Sequence, residues 1–104
     1  MNATQPINLV AALQAFDTLW HPHVVGQFNG HDIMVVKVKG EFVWHSHENT
    51  DDFFLVLKGR VVIDLCDGAV ALGPGEMFVV PKGVEHRPRA EEECLLMLVE
   101  RKST

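Results

Sequence analysis

Turn signals divide most of this chain into short apolar segments, and their spacing constrains the fold more than any other feature. Glycines, prolines and an Asn29-Gly30 pair interrupt the apolar sequence repeatedly from residue 24 onward. The segments between them are rich in the branched and aromatic residues that β-strands favour. They read VVGQF, DIMVVKVK, EFVWHSH, FFLVLKG, RVVIDL, AVAL, MFVVP, HRPRA and CLLMLVE. Nine short strands of this kind predict an all-β sandwich or barrel.

One segment before the strands has helical spacing instead. Leu9, Leu13 and Phe16 fall on one face of a helix over residues 8–16, and Asn8 is a suitable N-cap. No other segment of the chain shows this period, so we expect a single short helix at the N-terminal end.

The chain has 104 residues, which is enough for one domain and too few for two. We therefore expect a single domain over residues 1–104. Its expected parts are an N-terminal helix and arm (1–20), a β-barrel (21–100) and a loose tail (101–104).

The charge and hydropathy patterns exclude several classes of partner. A formal charge of −5 argues against binding to nucleic acid or to an anionic membrane surface. No apolar run has the length of a membrane span, and the N-terminal segment lacks the basic region of a signal peptide. Cys66 and Cys94 lie in apolar segments without CxxC spacing, which predicts two buried, reduced thiols. We expect a cytoplasmic protein.

Two segments, FFLVL and CLLMLV, are apolar at every position. In an antiparallel sheet one face usually meets water, so this pattern indicates that the outer face is covered. Either the N-terminal segment or a second subunit can supply the cover, and we favour a homodimer.

His45 and His47 stand two residues apart in EFVWHSH. If this segment is a strand, the two imidazoles share a face with Val43 and reach a common point above the sheet. Such an arrangement can chelate a metal ion, but an exposed surface pair fits the HxH spacing equally well. His21 and His23 have the same spacing without a nearby acid, and we interpret them as a surface pair.

The rest of the chain supplies more candidates at defined spacings. One motif begins at Gly40 and continues with four residues, HSH, four residues, Asp52, six residues and Gly59. A second motif begins at Gly75 and continues with five residues, PKG, two residues and His86. Together they resemble the two motifs of the cupin superfamily, and the chain is similar to small bacterial cupins labelled as similar to mannose-6-phosphate isomerase. The resemblance implies a jelly-roll barrel, also called a double-stranded β-helix, with a metal site inside.

The resemblance also implies the metal ligands, which are His45, His47, Asp52 and His86. Metal-binding members of the family use glutamate where this chain has the shorter Asp52, whose reach is less by about 1.5 Å. Asp51 is the rival acid, although the six-residue spacing to Gly59 favours Asp52. Ala90 stands where the family's second motif ends in asparagine.

Three imidazoles and one carboxylate suit Fe, Mn, Ni, Zn or Cu, and the ligand set does not choose among these metals. The resemblance implies a metal-dependent enzyme of dioxygenase or isomerase type that acts on a small organic substrate in the barrel. The alternatives are a non-catalytic cupin that binds or senses a small molecule or a metal, and a purely structural domain without a metal. No catalytic side chain beyond the metal ligands is identified.

The alternation of side chains along the strands also suggests which residues surround a ligand. The apolar candidates, for each of which we favour plain barrel packing, are Val43, Phe54, Val56, Phe78 and Val80. The charged candidates at the mouth, for each of which we favour solvated surface, are Arg60, Lys82, Glu85 and Arg87.

Overall fold

The computed structural model describes residues 5–101, which contain one helix and seven strands. The helix is α1 (Leu9–Gln14), and the strands are β1 (His23–Phe28), β2 (His31–Glu41), β3 (Asp52–Lys58), β4 (Val61–Leu65), β5 (Gly68–Leu72), β6 (Met77–Val80) and β7 (His86–Arg101). Every strand pairing is antiparallel. The prediction of an all-β barrel with one short N-terminal helix is confirmed.

Strand β7 lies at the centre of the sheet. Its 16 residues pair with β2 along one edge, and with β4 and then β3 along the other. Beyond these neighbours, β1 extends β2, β6 extends β3 and β5 extends β4. Side chains on the inner faces form the core, which includes Val38, Val56, Ile63 and Leu96, each at most 1% exposed.

Helix α1 begins as its sequence predicts, but it ends at Gln14, and Phe16 lies beyond it and is 38% exposed. The Asn8 side chain accepts a hydrogen bond from the Ala11 N–H at 3.0 Å, which satisfies one of the free donors at the helix start. Leu13 is fully buried against Val35 and Leu95 on the outer face of the sheet. The N-terminal segment therefore covers one part of that face.

The last two predicted strands form a single strand, β7, which continues through the acidic run at residues 91–93. Between Val38 and Gly40, β2 advances two residues while β7 advances four, from Cys94 to Ala90. The three glutamates occupy this bulge and stay exposed, so the strand continues through them. The predicted tail is likewise part of β7 at Arg101, and residues 102–104 lie outside the described residues.

The prediction that EFVWHSH is a strand is wrong. Strand β2 ends at Glu41, just after Gly40 with its φ of +85°, and the following residues leave the sheet. Within residues 42–51 a single isolated bridge, at His45, shows β-pairing. The regular alternation of faces, from which Val43 was placed beside the histidines, does not apply there.

Among residues 5–101, no helix has the length and apolar character that a bilayer crossing requires. The cytoplasmic location stays a prediction.

Gly59→Ala is expected to destabilise the protein more than Gly40→Ala. Both glycines have positive φ, +90° and +85°, so both substitutions carry left-handed backbone strain of about 1–2 kcal/mol. At Gly59 alone of the two, an added Cβ would also lie 2.8 Å from the Glu93 carbonyl oxygen and 3.1 Å from the Cys94 Cα. Urea unfolding of the two variants measures the difference, and equal losses would contradict a close approach to β7.

Contrary to the sequence prediction, the two thiols are not both buried: Cys66 is exposed and Cys94 is buried. Burial raises the pKa of Cys94 to about 11, so about one molecule in a thousand carries its thiolate at pH 8.

We expect one fast-reacting thiol in the native protein, none in Cys66→Ser, and two in the unfolded protein. A chromogenic disulfide reagent measures this, and two fast thiols in the native protein would contradict the burial of Cys94.

Candidate metal centre

The segment between β2 and β3 carries two of the predicted ligands and is attached to the element that carries a third. The His45 N–H donates to the His86 carbonyl at 3.0 Å, and the His86 N–H donates to the His45 carbonyl at 2.9 Å. The Gly83 N–H donates to the His47 carbonyl at 2.7 Å. These bonds hold both histidines of the segment against the turn and strand that position His86.

A charged cluster beside this segment adds a further contact. The Arg87 guanidinium lies 5.3 Å from the ring centroid of Trp44, the residue before His45. Arg89 and Arg87 both donate to Asp64, and these hydrogen bonds, with that of Arg89 the largest contribution, lower the pKa of its carboxyl group. The arginine that contacts Trp44 is therefore fixed by an ion pair across β4 and β7.

The two neighbouring aspartates point in different directions. Asp51 is exposed and accepts a hydrogen bond from the Lys82 N–H at 2.9 Å, so it fixes the turn before His86. Asp52 is the first residue of β3 and is 6% exposed. Asp52 rather than Asp51 therefore shares the interior with the histidines.

Folding brings the four predicted ligands together. One donor atom from each of His45, His47, Asp52 and His86 lies within 4.8 Å of the others. The Asp52 Oδ2 atom is 2.9 Å from the His86 Nε2 atom and 3.1 Å from the His47 Nε2 atom. The shorter side chain of aspartate therefore still reaches the imidazoles, because β3 begins beside them.

Main-chain carbonyls determine which ring nitrogens point into the cluster. His45 Nδ1 lies 2.9 Å from the Val43 carbonyl and His86 Nδ1 lies 3.0 Å from the Val84 carbonyl. A carbonyl only accepts, so each Nδ1 carries the hydrogen and each neutral ring directs the Nε2 lone pair toward the cluster.

The donor set fits a bound cation. The His86 Nε2 lone pair faces the Asp52 carboxylate at 2.9 Å, and two acceptors do not form a hydrogen bond with each other. Both His86 Nε2 and Asp52 Oδ1 are buried without a hydrogen-bond partner. A proton on His86 would pair its Nε2 atom with Asp52 Oδ2 but would leave Oδ1 without a partner. Three nitrogens with one carboxylate oxygen are suitable ligands for a divalent transition metal.

The same contacts act on the protonation of His86. Burial disfavours its charged form, but the hydrogen bonds that the protonated ring would donate to Asp52 and to the Val84 carbonyl outweigh that effect and raise its pKa. The carboxylate therefore stabilises positive charge at this position, whether a proton or a metal ion carries it.

A cavity of about 220 Å³ adjoins the cluster, with His45, His47 and Asp52 in its wall. The remainder of the wall is mostly apolar and comprises Trp20, Pro22, Val36, Val38, Phe42, Phe53, Phe54, Pro88, Leu96, Leu98 and Glu100. A small organic molecule in this cavity would lie directly against the metal ligands.

Of the apolar residues predicted to surround a ligand, Phe54 alone does so. Val43 is 64% exposed because its segment is not a strand. Val56 and Val80 pack in the core, where Phe78 also contacts the buried cluster. None of the charged candidates lines this cavity, and one of them, Lys82, borders a separate polar cleft at the surface.

The sequence matches a known family, Cupin_2, described as the cupin domain, over residues 32–100. The chain belongs to the cupin family. This cupin is 33% identical to the uncharacterized protein YdbB of Bacillus subtilis (strain 168) over 79 residues, which span 75% of this chain and 70% of that protein. The likeness to mannose-6-phosphate isomerase does not follow from these matches.

Solved structures with the same fold include a cupin-2 domain containing protein from Shewanella frigidimarina. It is 44% identical, with a TM-score of 0.90 over 92% of this cupin and 94% of that chain. Hydroquinone 1,2-dioxygenase from Sphingomonas sp. TTNP3, with 4-hydroxybenzoate bound, has a TM-score of 0.85 at 20% identity. That match covers 95% of this cupin but 32% of the dioxygenase chain, and at this identity it shows the fold alone.

Trp20 and Glu100 are among the cavity residues that were not predicted from the sequence of this cupin. The Trp20 indole donates to the Lys39 carbonyl at 2.9 Å, and its ring stacks on Phe42 with centroids 4.9 Å apart. Glu100 lies near the end of β7; burial, followed by the charge of Asp52, raises the pKa of its carboxyl group. In the sequence, the only signals for Trp20 and Glu100 were the residue pattern around WHPH and the single acid in CLLMLVE.

The interpretation of His21 and His23 as a surface pair holds for His21, which is exposed. His23 is half-buried, and its ring stacks on Phe16 with centroids 3.7 Å apart. Neither belongs to a group of potential ligands within residues 5–101.

Proposed function

We propose that this cupin binds one divalent transition metal through His45, His47, Asp52 and His86 and acts on a small organic molecule in the adjoining cavity. One observation carries the proposal: four donor atoms converge within 4.8 Å, and two of these residues present buried polar atoms without a hydrogen-bond partner. The metal is one of Fe, Mn, Ni, Zn or Cu.

The protein residues prepare the site for this role. The carbonyls of Val43 and Val84 fix two imidazoles with their Nε2 atoms inward, and Asp52 offsets part of the positive charge. The apolar wall excludes water from the ligand. When bound, the ion would supply Lewis acidity and, for a redox-active metal, electron transfer.

We propose a reaction of dioxygenase or isomerase type. Support comes from the cavity beside the cluster and from the shared fold with hydroquinone 1,2-dioxygenase. A protein that binds metal and ligand without turnover would instead be a binding or sensing cupin. Dioxygen uptake with hydroquinones, measured on protein loaded with Fe(II), identifies the dioxygenase type, because neither an isomerase nor a binding cupin consumes dioxygen.

Purified without added metal or a histidine tag, the protein is expected to hold about one transition-metal ion per chain. His45→Ala and His86→Ala are expected to lose most of it, since each removes one imidazole from the cluster. Elemental analysis by mass spectrometry measures the content.

His21→Ala is the matched control, because it removes a histidine from an HxH pair outside the cluster. It is expected to keep the metal of the parent. Equal metal in the parent and all three variants, or none in the parent after incubation with Fe(II), Mn(II), Ni(II), Zn(II) and Cu(II), would refute the site.

We also propose a homodimer formed through the outer face of the sheet. Two rows of directly paired apolar residues cross β2, β7, β3 and β6 there. The rows are Ile33, Val99, Phe53 and Val79, and Val35, Met97, Leu55 and Met77. Helix α1 buries Val35, but Met77 and Val79 remain 49% and 38% exposed. A second copy would bury the remainder, as apolar surfaces of this kind commonly require.

Met77→Lys is expected to convert the dimer to a monomer, because it places a charge within the apolar rows. Val24→Lys is the control, since Val24 is 56% exposed but pairs with Met34, whose side chain alternates to the opposite face from Ile33 and Val35. Sedimentation velocity measures the mass in solution. A monomeric parent, or a dimer that survives Met77→Lys, would count against this interface.

A further inference from the structure

Glu100 occupies an unusual position for an acidic side chain. It lies on β7 in the same alternation as Leu96 and Leu98, and all three line the cavity. Glu100 pairs directly with Asp32 on β2. On the other edge, the pairing of Phe53 with Val99 brings the start of β3 next to the end of β7.

The register therefore places three acids side by side across β2, β7 and β3: Asp32, Glu100 and Asp52. Like charges on directly opposed residues destabilise a sheet. Asp32 accepts a hydrogen bond from Gln27 at 3.2 Å, and Asp52 faces the imidazoles. Among residues 5–101, Glu100 has no ion-pair partner, and it projects into a mostly apolar space.

The cavity contains no compensating cation. Among the described residues, neither lysine nor arginine lines it, and its polar wall consists of Glu100, Asp52 and two histidines. Phosphate and carboxylate ligands are normally bound by arginine, lysine or free main-chain amides. An anionic molecule would therefore meet two carboxyl groups here, and any bound metal would be its only source of attraction.

The shape and lining favour a flat ligand. Trp20 and Phe42 stack at an interplanar angle of 27°, and Phe54 lies in the same wall. Their faces and edges pack well against a planar ring, and about 220 Å³ accommodates one small ring with its substituents.

We propose that the cavity selects an uncharged, flat molecule that carries hydroxyl groups, and that Glu100 determines this selection. Its carboxyl group binds one hydroxyl of the ligand and opposes anions. This inference deepens the proposed function. It rests on that function in one respect only, namely that the second polar group of the ligand lies at the metal cluster. Phosphorylated sugars are excluded as ligands of this cavity.

The test compares three probes: hydroquinone, 4-hydroxybenzoate and mannose 6-phosphate. Hydroquinone carries two hydroxyls without charge, 4-hydroxybenzoate replaces one hydroxyl by a carboxylate, and the sugar phosphate is a larger anion. Each is titrated without dioxygen at about pH 8 into metal-free and zinc-loaded protein. The indole N–H of Trp20 in proton–nitrogen NMR spectra reports binding, and Trp20→Phe assigns its signal.

We expect both protein forms to bind hydroquinone more tightly than either anion. In Glu100→Gln, which removes the charge and keeps the shape, the preference for hydroquinone over 4-hydroxybenzoate should fall about tenfold. Glu100→Met, which also removes hydrogen bonding, should in addition lose hydroquinone affinity. Glu92→Gln is the matched control, because it makes the same charge change at an exposed position of β7, and it should behave as the parent.

Three results would overturn the inference: a parent that binds no probe, a parent that binds either anion at least as tightly as hydroquinone, or an unchanged preference in Glu100→Gln. Failure of the proposed function is recognised separately by the zinc content. Protein that takes up no zinc but keeps the predicted preference in its metal-free form refutes the metal site and supports the role of Glu100. Protein that takes up zinc but lacks that preference supports the metal site and refutes the role of Glu100.

Discussion

Strand β7 is the constraint on which the rest of the structure depends. Because it pairs with β2, β3 and β4, its register determines where three other strands lie. Its first residue, His86, belongs to the candidate metal cluster, and Glu100 lies near its end. The bulge at residues 91–93 lets the strand change partners without ending. Strand β7 therefore positions both His86, at the metal cluster, and Glu100, in the cavity wall.

A cation at the candidate metal cluster would satisfy polar groups that the fold buries without partners. A carboxylate and an imidazole lone pair face each other at 2.9 Å inside the barrel, and the imidazole Nε2 atom and the second carboxylate oxygen are buried. A cation removes this cost, and the surrounding carbonyls hold the rings ready for it. The apolar wall of Trp20, Phe42 and Phe54 then gives a ligand a water-poor position next to that cation.

The sequence predicts much of this arrangement because the determinants are local. Asn29 and Gly30, both at positive φ, form the predicted turn, and glycine spacing identifies the strands on either side. His45 and His47 converge as expected, but a cross-bridge to His86 brings them there rather than strand alternation. Trp20 and Glu100 were missed because their roles arise from contacts with distant segments. The bulge that joins the last two predicted strands likewise depends on pairing with β2.

The four candidate ligands differ in how firmly the backbone holds them. Asp52 and His86 begin regular strands, whereas His45 and His47 belong to an irregular segment that three main-chain hydrogen bonds join to His86 and to the turn before it. Segments of low local stability adjust at little cost, while paired strands do not. Ions of different radius can therefore be accommodated by small shifts of one half of the site. As proposed, such a site would discriminate weakly by ionic size, so the supply of metals around the protein, rather than the barrel, would decide which one it acquires.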